Sequence, residues 1–259
     1  MNNRIHRLFQ EKKEKILSVY FTAGYPFLND TLTIIQHLDR AGTDLIEIGF
    51  PFSDPLADGP VIQQSSHQAI ENGMTLQLLF EQLQQLRSLT QMPVILMGYL
   101  NPVLQYGEAA FISKCNEVGV DGIIIPDMPL NYYKSEWKEY CHQNNLSNIM
   151  LITPETTENR IREIDENSDG FIYMVSSNSI TGGNKTLGLQ ASYFELIEQM
   201  KLKNPTLTGF GIYDRTSFEN ACQHSSGAII GSAFIRFIAE NGPSEEAVRK
   251  FVGGIRNAF

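Results

Sequence analysis

Short apolar runs alternate with stretches of helical periodicity along the whole chain, and this alternation constrains the fold more than any other feature. The eight predicted strands are 16–22, 44–49, 94–97, 122–125, 149–152, 171–175, 207–211 and 228–230. Helical patterns separate them. In one of these, Leu76, Leu79 and Phe80 recur at i, i+3 and i+4 spacing and so share one face. Because parallel strands need a crossover connection, the alternation predicts a parallel sheet.

The number of strand–helix units favours a closed sheet. Eight units in 259 residues match the ~250 residues of a (β/α)8 TIM barrel, and we expect 1–259 to form one such domain. The alternative is a doubly wound open sheet, which would carry a glycine-rich fingerprint after its first strand; the sequence at 22–26 is not one. Ile5, Leu8 and Phe9 predict an extra N-terminal helix that lies across the N-terminal mouth of the barrel.

Composition excludes several classes of function. The formal net charge is −9 and no long basic run occurs, which disfavours nucleic-acid binding. The three cysteines lack CxxC spacing and the five histidines lack metal-binding spacing, so we expect no metal site. Neither a signal peptide nor a run of ~18 apolar residues is present, so we expect a cytoplasmic protein that does not enter the membrane.

A glutamate interrupts the second predicted strand. Glu47 lies between Ile46 and Ile48, and a carboxylate in a buried strand is costly unless it is used or paired. If the two isoleucines face the helices, the period of two turns Glu47 into the barrel. Burial would then raise its pKa and suit it to general acid/base catalysis. A structural carboxylate paired with a neighbouring strand is the alternative interpretation.

Two further groups of residues follow predicted strands. The loop 50–60 carries Asp54 and Asp58 among three prolines. Both acids are candidates for the site at this end of the barrel, and the alternative is that they only form Asx turns. Small residues at 182–183, 209–211 and 231–233 follow the last three strands, and the third group opens a helix. Barrels often bind phosphate at such loops through backbone N–H groups and a helix N-terminus, although glycines also serve tight turns. We therefore predict a phosphorylated substrate at the carboxyl ends of the strands.

Several motifs agree with one family. The stretch EIGFPFSDPLADGP from Glu47 to Pro60 resembles the signature of the tryptophan synthase alpha subunit family. Further motifs agree in order along essentially the whole chain; they lie at 21–24, 99–102, 119–122, 126–127, 209–211 and 231–233. The resemblance implies a (β/α)8 barrel that cleaves indole-3-glycerol phosphate to indole and glyceraldehyde 3-phosphate in tryptophan biosynthesis.

The resemblance also implies roles for individual residues. Glu47 would be the general acid/base, Asp58 the second catalytic carboxylate, and Thr181 a loop residue that bonds the catalytic aspartate on closure. The residues implied to bind the substrate phosphate are Gly182, Gly211, Gly231 and Ser232. The residues implied to lie near the indole ring are Tyr173, Phe210, Met97, Tyr99 and Ile124. The loop with Asp54 and Pro55 would lie near a partner interface.

The resemblance implies a partner but no cofactor in this chain. Family members form an α2β2 heterotetramer with a beta subunit, which carries pyridoxal phosphate. The retro-aldol cleavage implied by the resemblance can proceed by carboxylate acid/base catalysis without a Schiff-base lysine. In agreement with this, no lysine stands at a strand end. Ser177 and Ser179 depart from the Arg and Gly usual in the family, and Tyr20 and Tyr213 are also unusual. A mainly regulatory subunit and a stand-alone indole-releasing lyase are the alternative functions.

Overall fold

Nine parallel strands and a layer of helices make up the described part of the chain. The computed structural model describes residues 3–176 and 184–256, and for 184–191 it describes the backbone. The strands are β1 Ile16–Thr22, β2 Leu45–Gly49, β3 Val94–Met97, β4 Gly122–Ile124, β5 Ser147–Asn148, β6 Met150–Ile152, β7 Ile172–Val175, β8 Thr206–Gly209 and β9 Gly227–Ile230. The α-helices are Arg4–Glu11, Asp30–Arg40, Pro60–Glu71, Leu76–Leu83, Leu86–Leu89, Leu100–Tyr106, Glu108–Val118, Leu130–Tyr132, Lys138–Gln143, Glu158–Asn167, Asn184–Met200, Arg215–Ala221, Ser232–Asn241 and Glu245–Arg256.

The sheet curves into a nearly closed barrel. Its strand order is β5-β4-β3-β2-β1-β9-β8-β7-β6, and every pair is parallel. The two edge strands, β5 and β6, follow each other in the chain and are separated by Ile149 alone, whose N–H donates to the carbonyl oxygen of Ile123 at 2.9 Å. They are therefore two pieces of one strand, which begins two residues before the predicted strand 149–152, and the predicted eight-stranded barrel is confirmed.

Alternate residues of each strand enter two different apolar layers. In β1, every residue is buried. Leu17 and Val19 pack in the cluster between sheet and helices, whereas Ile16 and Tyr20 pack inside the barrel. Strands covered on both faces are expected to be apolar throughout, which explains why the runs were visible in the sequence. Each fully buried aliphatic side chain contributes roughly 1.5–3 kcal/mol to folding.

The N-terminal helix Arg4–Glu11 lies against the barrel interior. The side chain of Asn3 caps it by accepting from the N–H of Ile5 at 3.1 Å. Ile5 and Phe9 pack in the inner cluster, where the Phe9 ring lies 5.8 Å from that of Phe171. The helix thus covers the barrel at the N-terminal ends of the strands, as the sequence predicted.

Helical periodicity located most of the outer layer correctly. One helical segment of this layer is irregular: between the α-helices Leu130–Tyr132 and Lys138–Gln143 lies the π-helical turn Tyr133–Trp137, in which both terminal aromatic side chains are buried. The C-terminal helix Glu245–Arg256 buries Val248, Val252 and Ile255, which recur at i, i+4 and i+7 and so share one face. Within the described part of the chain, none of the helices has the length and apolar character needed to cross a membrane.

Candidate active site

A cavity of about 470 Å³ opens where the carboxyl ends of several strands meet. Residues from the ends of β1, β3, β7 and β9 form its floor, and residues after β2, β8 and β9 form its walls. The residues that line it are Tyr20, Leu56, Ala57, Asp58, Gly59, Ile62, Met97, Tyr173, Phe210, Gly211, Ile212, Tyr213, Ile229, Gly231, Ser232, Ala233 and Arg236. This is the end of the barrel at which the sequence predicted the substrate site.

Glu47 points into the barrel from the middle of β2. Its neighbours Ile46 and Ile48 pack in the cluster between sheet and helices, so the period of two places the carboxyl group inside. Glu47 is 0% exposed. Its Oε1 accepts a hydrogen bond from the Ser18 hydroxyl at 2.9 Å, and its Oε2 has no hydrogen-bond partner among the described residues. The neighbouring strand therefore offers a neutral hydroxyl rather than an opposite charge.

Asp58 is held at the start of the helix Pro60–Glu71. The hydroxyl of Tyr99 donates to Asp58 Oδ2 at 3.1 Å and accepts from the N–H of Ala57 at 3.0 Å. The Gln63 side chain donates to the carbonyl oxygen of Asp58 at 2.8 Å. The carboxylate thus faces the cavity next to a helix N-terminus, where the helix dipole favours a negative charge.

The two carboxyl groups titrate on opposite sides of neutral pH. Burial raises the pKa of Glu47 to about 8, against the opposing effect of the Ser18 hydrogen bond. Burial also raises the pKa of Asp58, to about 6, and the hydrogen bond from Tyr99 opposes it. At pH 7 Glu47 is mostly protonated and Asp58 mostly ionised. Two carboxyl groups whose environments separate their pKa values in this way can act as a proton donor and a fixed anion.

Tyrosine rings form the cavity floor because glycines leave room for them. A Cβ on Gly49 would lie 2.1 Å from the Tyr20 hydroxyl, and a Cβ on Gly209 would lie 2.1 Å from the Tyr173 hydroxyl. Tyr173 also meets Phe210 edge to face, with ring centroids 6.3 Å apart. Gly209 therefore leaves room for the Tyr173 ring, whereas Phe210 and Gly211 line the cavity directly.

The turn after β8 has an unusual backbone. Phe210 and Gly211 both have positive φ angles, 69° and 71°, which is uncommon for a residue with a side chain. The Ser176 hydroxyl donates to the carbonyl oxygens of Phe210, at 2.7 Å, and Gly209, at 3.1 Å. These hydrogen bonds fix the turn, so that Phe210 and Gly211 both reach the cavity.

The structure brings together most of the residues predicted for the phosphate. Gly211, Gly231 and Ser232 line one side of the cavity. Gly231 caps the helix Ser232–Asn241, whose N-terminus therefore faces the cavity. Gly182 and Thr181 lie outside the described residues.

The residues predicted near the indole ring occupy three different positions. Met97, Tyr173 and Phe210 line the cavity. Tyr99 lies in a small adjoining pocket, where it contacts the loop that carries Asp58. Ile124 is fully buried in the inner cluster and is not among the described residues that line the cavity.

The loop after β2 carries the two residues predicted to lie near a partner interface, Asp54 and Pro55. Asp54 is exposed and accepts a hydrogen bond from the Ser53 hydroxyl. Pro55 is buried within this chain and lines the small pocket beside Tyr99. Leu56 is 90% exposed and is the apolar residue that this loop presents. The loop closes back onto the barrel, which turns the proline inward.

Sequence reasoning missed two residues of the site. Arg236 lines the cavity four residues after Ser232, one turn along the same helix, and is the only cation among the described lining residues. Its spacing from Ser232 was a usable signal. Ser18 donates to Glu47, but this contact depends on how β1 and β2 pair. The described residues contain no cluster of histidine, cysteine and acidic side chains suited to a metal ion.

Comparison with known proteins decides the family. The family model described as tryptophan synthase alpha chain matches residues 7–254. The chain belongs to the tryptophan synthase alpha chain family. It is 56% identical to the tryptophan synthase alpha chain of Flavobacterium psychrophilum over 98% of this chain and 99% of that protein. It is 55% identical to that of Flavobacterium johnsoniae, over 98% of this chain and 100% of the relative.

Solved structures agree with this family and its fold. Tryptophan synthase subunit alpha from Legionella pneumophila superposes with a TM-score of 0.89 at 30% identity, over 100% of this chain and 98% of that one. A chain of tryptophan synthase from M. tuberculosis gives a TM-score of 0.86 at 25% identity, over 98% of both chains. The predicted family and barrel are confirmed, and with them an alpha chain of tryptophan biosynthesis with lyase activity on indole-3-glycerol phosphate.

Proposed function

We propose that Glu47 is the general acid/base and Asp58 the second catalytic carboxylate in the cleavage of indole-3-glycerol phosphate. The observation that carries this proposal is a pair of carboxyl groups that both interact with Tyr20 and Tyr173 of the cavity floor. Their pKa values are about 8 and about 6. A protonated Glu47 can donate a proton at neutral pH, while an ionised Asp58 can stabilise a positive charge. Asp58 is the only acidic residue among the described residues that line the cavity, whereas Glu47 is fully buried and is not one of them.

The proposed reaction returns its proton to the enzyme. Glu47 donates a proton to C3 of the indole ring, which becomes cationic at its N–H, and the Asp58 carboxylate stabilises that charge. The ionised Glu47 then removes the proton of the hydroxyl group on the adjacent carbon. A carbonyl forms there, and the carbon–carbon bond to C3 breaks. Its electron pair returns to the ring, and indole and glyceraldehyde 3-phosphate leave.

The substrate phosphate is proposed to bind at the start of the helix Ser232–Asn241. The hydroxyl of Ser232, the backbone at Gly211 and Gly231, and the helix dipole all favour an anion there. Arg236 adds a full positive charge one turn farther along the same helix. In a chain with a net charge of −9, this local arrangement supplies the attraction for an anionic substrate. Gly182 is proposed as a further phosphate contact on the resemblance alone.

The aromatic part of the substrate is proposed to lie on the opposite side of the cavity. Tyr173, Phe210 and Met97 offer an apolar surface there, together with Tyr20. Tyr99 is proposed to act through Asp58, and Ile124 to support the floor from below. Thr181 is proposed to meet Asp58 when the loop after β7 closes.

A beta subunit is the proposed partner, in an α2β2 assembly in which pyridoxal phosphate belongs to the beta subunit. The loop after β2 supports this because exposed Asp54 and Leu56 stand on the same segment as Asp58. A partner that binds this segment would therefore change the position of the Asp58 carboxylate, because only a few backbone residues separate the two.

The pH dependence of kcat/KM tests the assignment of the two carboxyl groups. Because activity needs a protonated Glu47 and an ionised Asp58, we expect a bell-shaped profile with limbs near pH 6 and pH 8. Indole release should be measured from pH 5 to 10 with indole-3-glycerol phosphate, with and without a beta subunit. A profile flat across this range would contradict the proposed roles.

Replacing Asp58 tests the second carboxylate separately. We expect Asp58→Asn to lower kcat/KM by about 100-fold, the scale observed when one preorganised electrostatic contact to a transition state is removed. Asp54→Asn, on the exposed side of the same loop, is the matched control and should keep wild-type activity without a partner. Equal losses in the two variants would show that loop structure, rather than the Asp58 charge, was disturbed.

A further inference from the structure

Ser18 is a polar residue inside the barrel. It lies in the middle of β1, the strand ILSVYFT, and is 0% exposed. A buried hydroxyl without a hydrogen bond is energetically costly, so the partner of Ser18 matters. That partner is Glu47 Oε1, to which the Ser18 hydroxyl donates at 2.9 Å.

The strand register explains why this hydroxyl reaches the carboxyl group from below. Ser18 is paired with Leu45, and Tyr20 is paired with Glu47. Ser18 therefore lies two residues closer than Glu47 to the N-terminal end of the barrel, on the side away from the cavity. The hydrogen bond occupies Oε1 from that side, and Oε2 has no partner among the described residues.

We propose that Ser18 is a positioning residue for Glu47, which keeps the transferable proton on Oε2. This inference rests on the proposed role of Glu47 as general acid/base. In a neutral carboxyl group one oxygen accepts hydrogen bonds and the other carries the proton. Since the Ser18 hydroxyl donates to Oε1, the proton belongs on Oε2. When Oε2 gives up its proton, the same hydrogen bond stabilises the carboxylate that remains.

The other groups that face Glu47 cannot replace this hydrogen bond. Tyr20 on β1 and Tyr173 on β7 interact electrostatically with it, but burial raises the pKa of both tyrosines, and they stay neutral. Asp58, on the loop after β2, interacts with the same Tyr173 side chain, and β3 places the apolar Ile95 opposite Glu47. Ser18 is thus the only described side chain that donates a hydrogen bond to Glu47.

The test is the alkaline limb of the pH profile of kcat/KM, which reports the pKa of the essential acid in the free enzyme. Loss of a hydrogen bond to the ionised form raises a pKa, so Ser18→Ala should move this limb upward by about one unit from its wild-type position near pH 8. Ser18→Thr keeps the hydroxyl and should restore the wild-type limb. Ser18→Cys keeps the size but offers a weaker donor, so its limb should lie between the two.

A serine at the other end of the barrel provides the control. Ser147 is also buried and accepts a hydrogen bond from the Asn3 side chain, far from the cavity. Ser147→Ala should leave the limb where it is in wild type, even if stability falls. An alkaline limb that is present in wild type and unmoved in Ser18→Ala and Ser18→Cys would overturn the role of Ser18. A wild-type profile without that limb would overturn the proposed role of Glu47 instead.

Discussion

Glu47→Gln is expected to lower indole release from indole-3-glycerol phosphate by about 1,000-fold, within the range typical of a lost general acid/base. Glutamine has nearly the same shape as glutamic acid, and its amide oxygen can still accept the hydrogen bond from Ser18. It cannot supply a proton to the indole ring or remove one from the substrate hydroxyl. The fall should therefore appear in kcat, with KM changed by no more than about threefold, because an interaction made only in the transition state is lost.

A matched variant separates this effect from a general loss of negative charge. Glu71 is exposed at the end of the helix Pro60–Glu71, and Glu71→Gln should keep wild-type kcat. Both variants should be assayed with and without a beta subunit at pH 7. If Glu47→Gln keeps more than a tenth of wild-type activity, Glu47 is not the general acid/base, and the structural alternative for this residue becomes the better interpretation.

The fold was predictable because its strands are buried on both faces and therefore consist almost entirely of apolar residues. The fifth strand shows the limit of this signal. It begins at Ser147, two residues before the predicted start, because Ser147 and Asn148 are polar residues that the barrel buries. Ser147 accepts a hydrogen bond from Asn3, which is 144 residues away in the chain. A pattern of hydrophobicity does not contain such a long-range partner.

The site was predictable where a residue contradicted its local surroundings. Glu47 was visible because a carboxyl group stood between two buried isoleucines. Ser18 was not, since a serine in a strand is unremarkable until the register of β1 and β2 places it below Glu47. The burial of Pro55 was not predictable either, because the direction of a loop side chain depends on tertiary contacts, here with the pocket beside Tyr99.

The pKa of Glu47 also predicts a large effect on stability. A carboxyl group whose pKa rises from 4.5 to about 8 on folding binds its proton more tightly in the folded state. Its contribution to stability is therefore greatest below pH 4.5 and is lost as the pH rises through 8. The difference corresponds to about 5 kcal/mol at pH 9, because each pKa unit is equivalent to about 1.4 kcal/mol. Glu47→Gln removes the ionisable group and should therefore recover most of the stability that the wild type loses at high pH.

We therefore expect Glu47→Gln to raise the free energy of unfolding by about 4 kcal/mol at pH 9 but by less than about 1 kcal/mol at pH 5, where folded Glu47 is already neutral. Urea unfolding at the two pH values measures this, and any effect of the amide on packing cancels in the difference between them. The exposed Glu71→Gln should change little at either pH. Equal effects of Glu47→Gln at pH 5 and pH 9 would mean that burial does not hold Glu47 protonated, and the proposed proton donor would lose its physical basis.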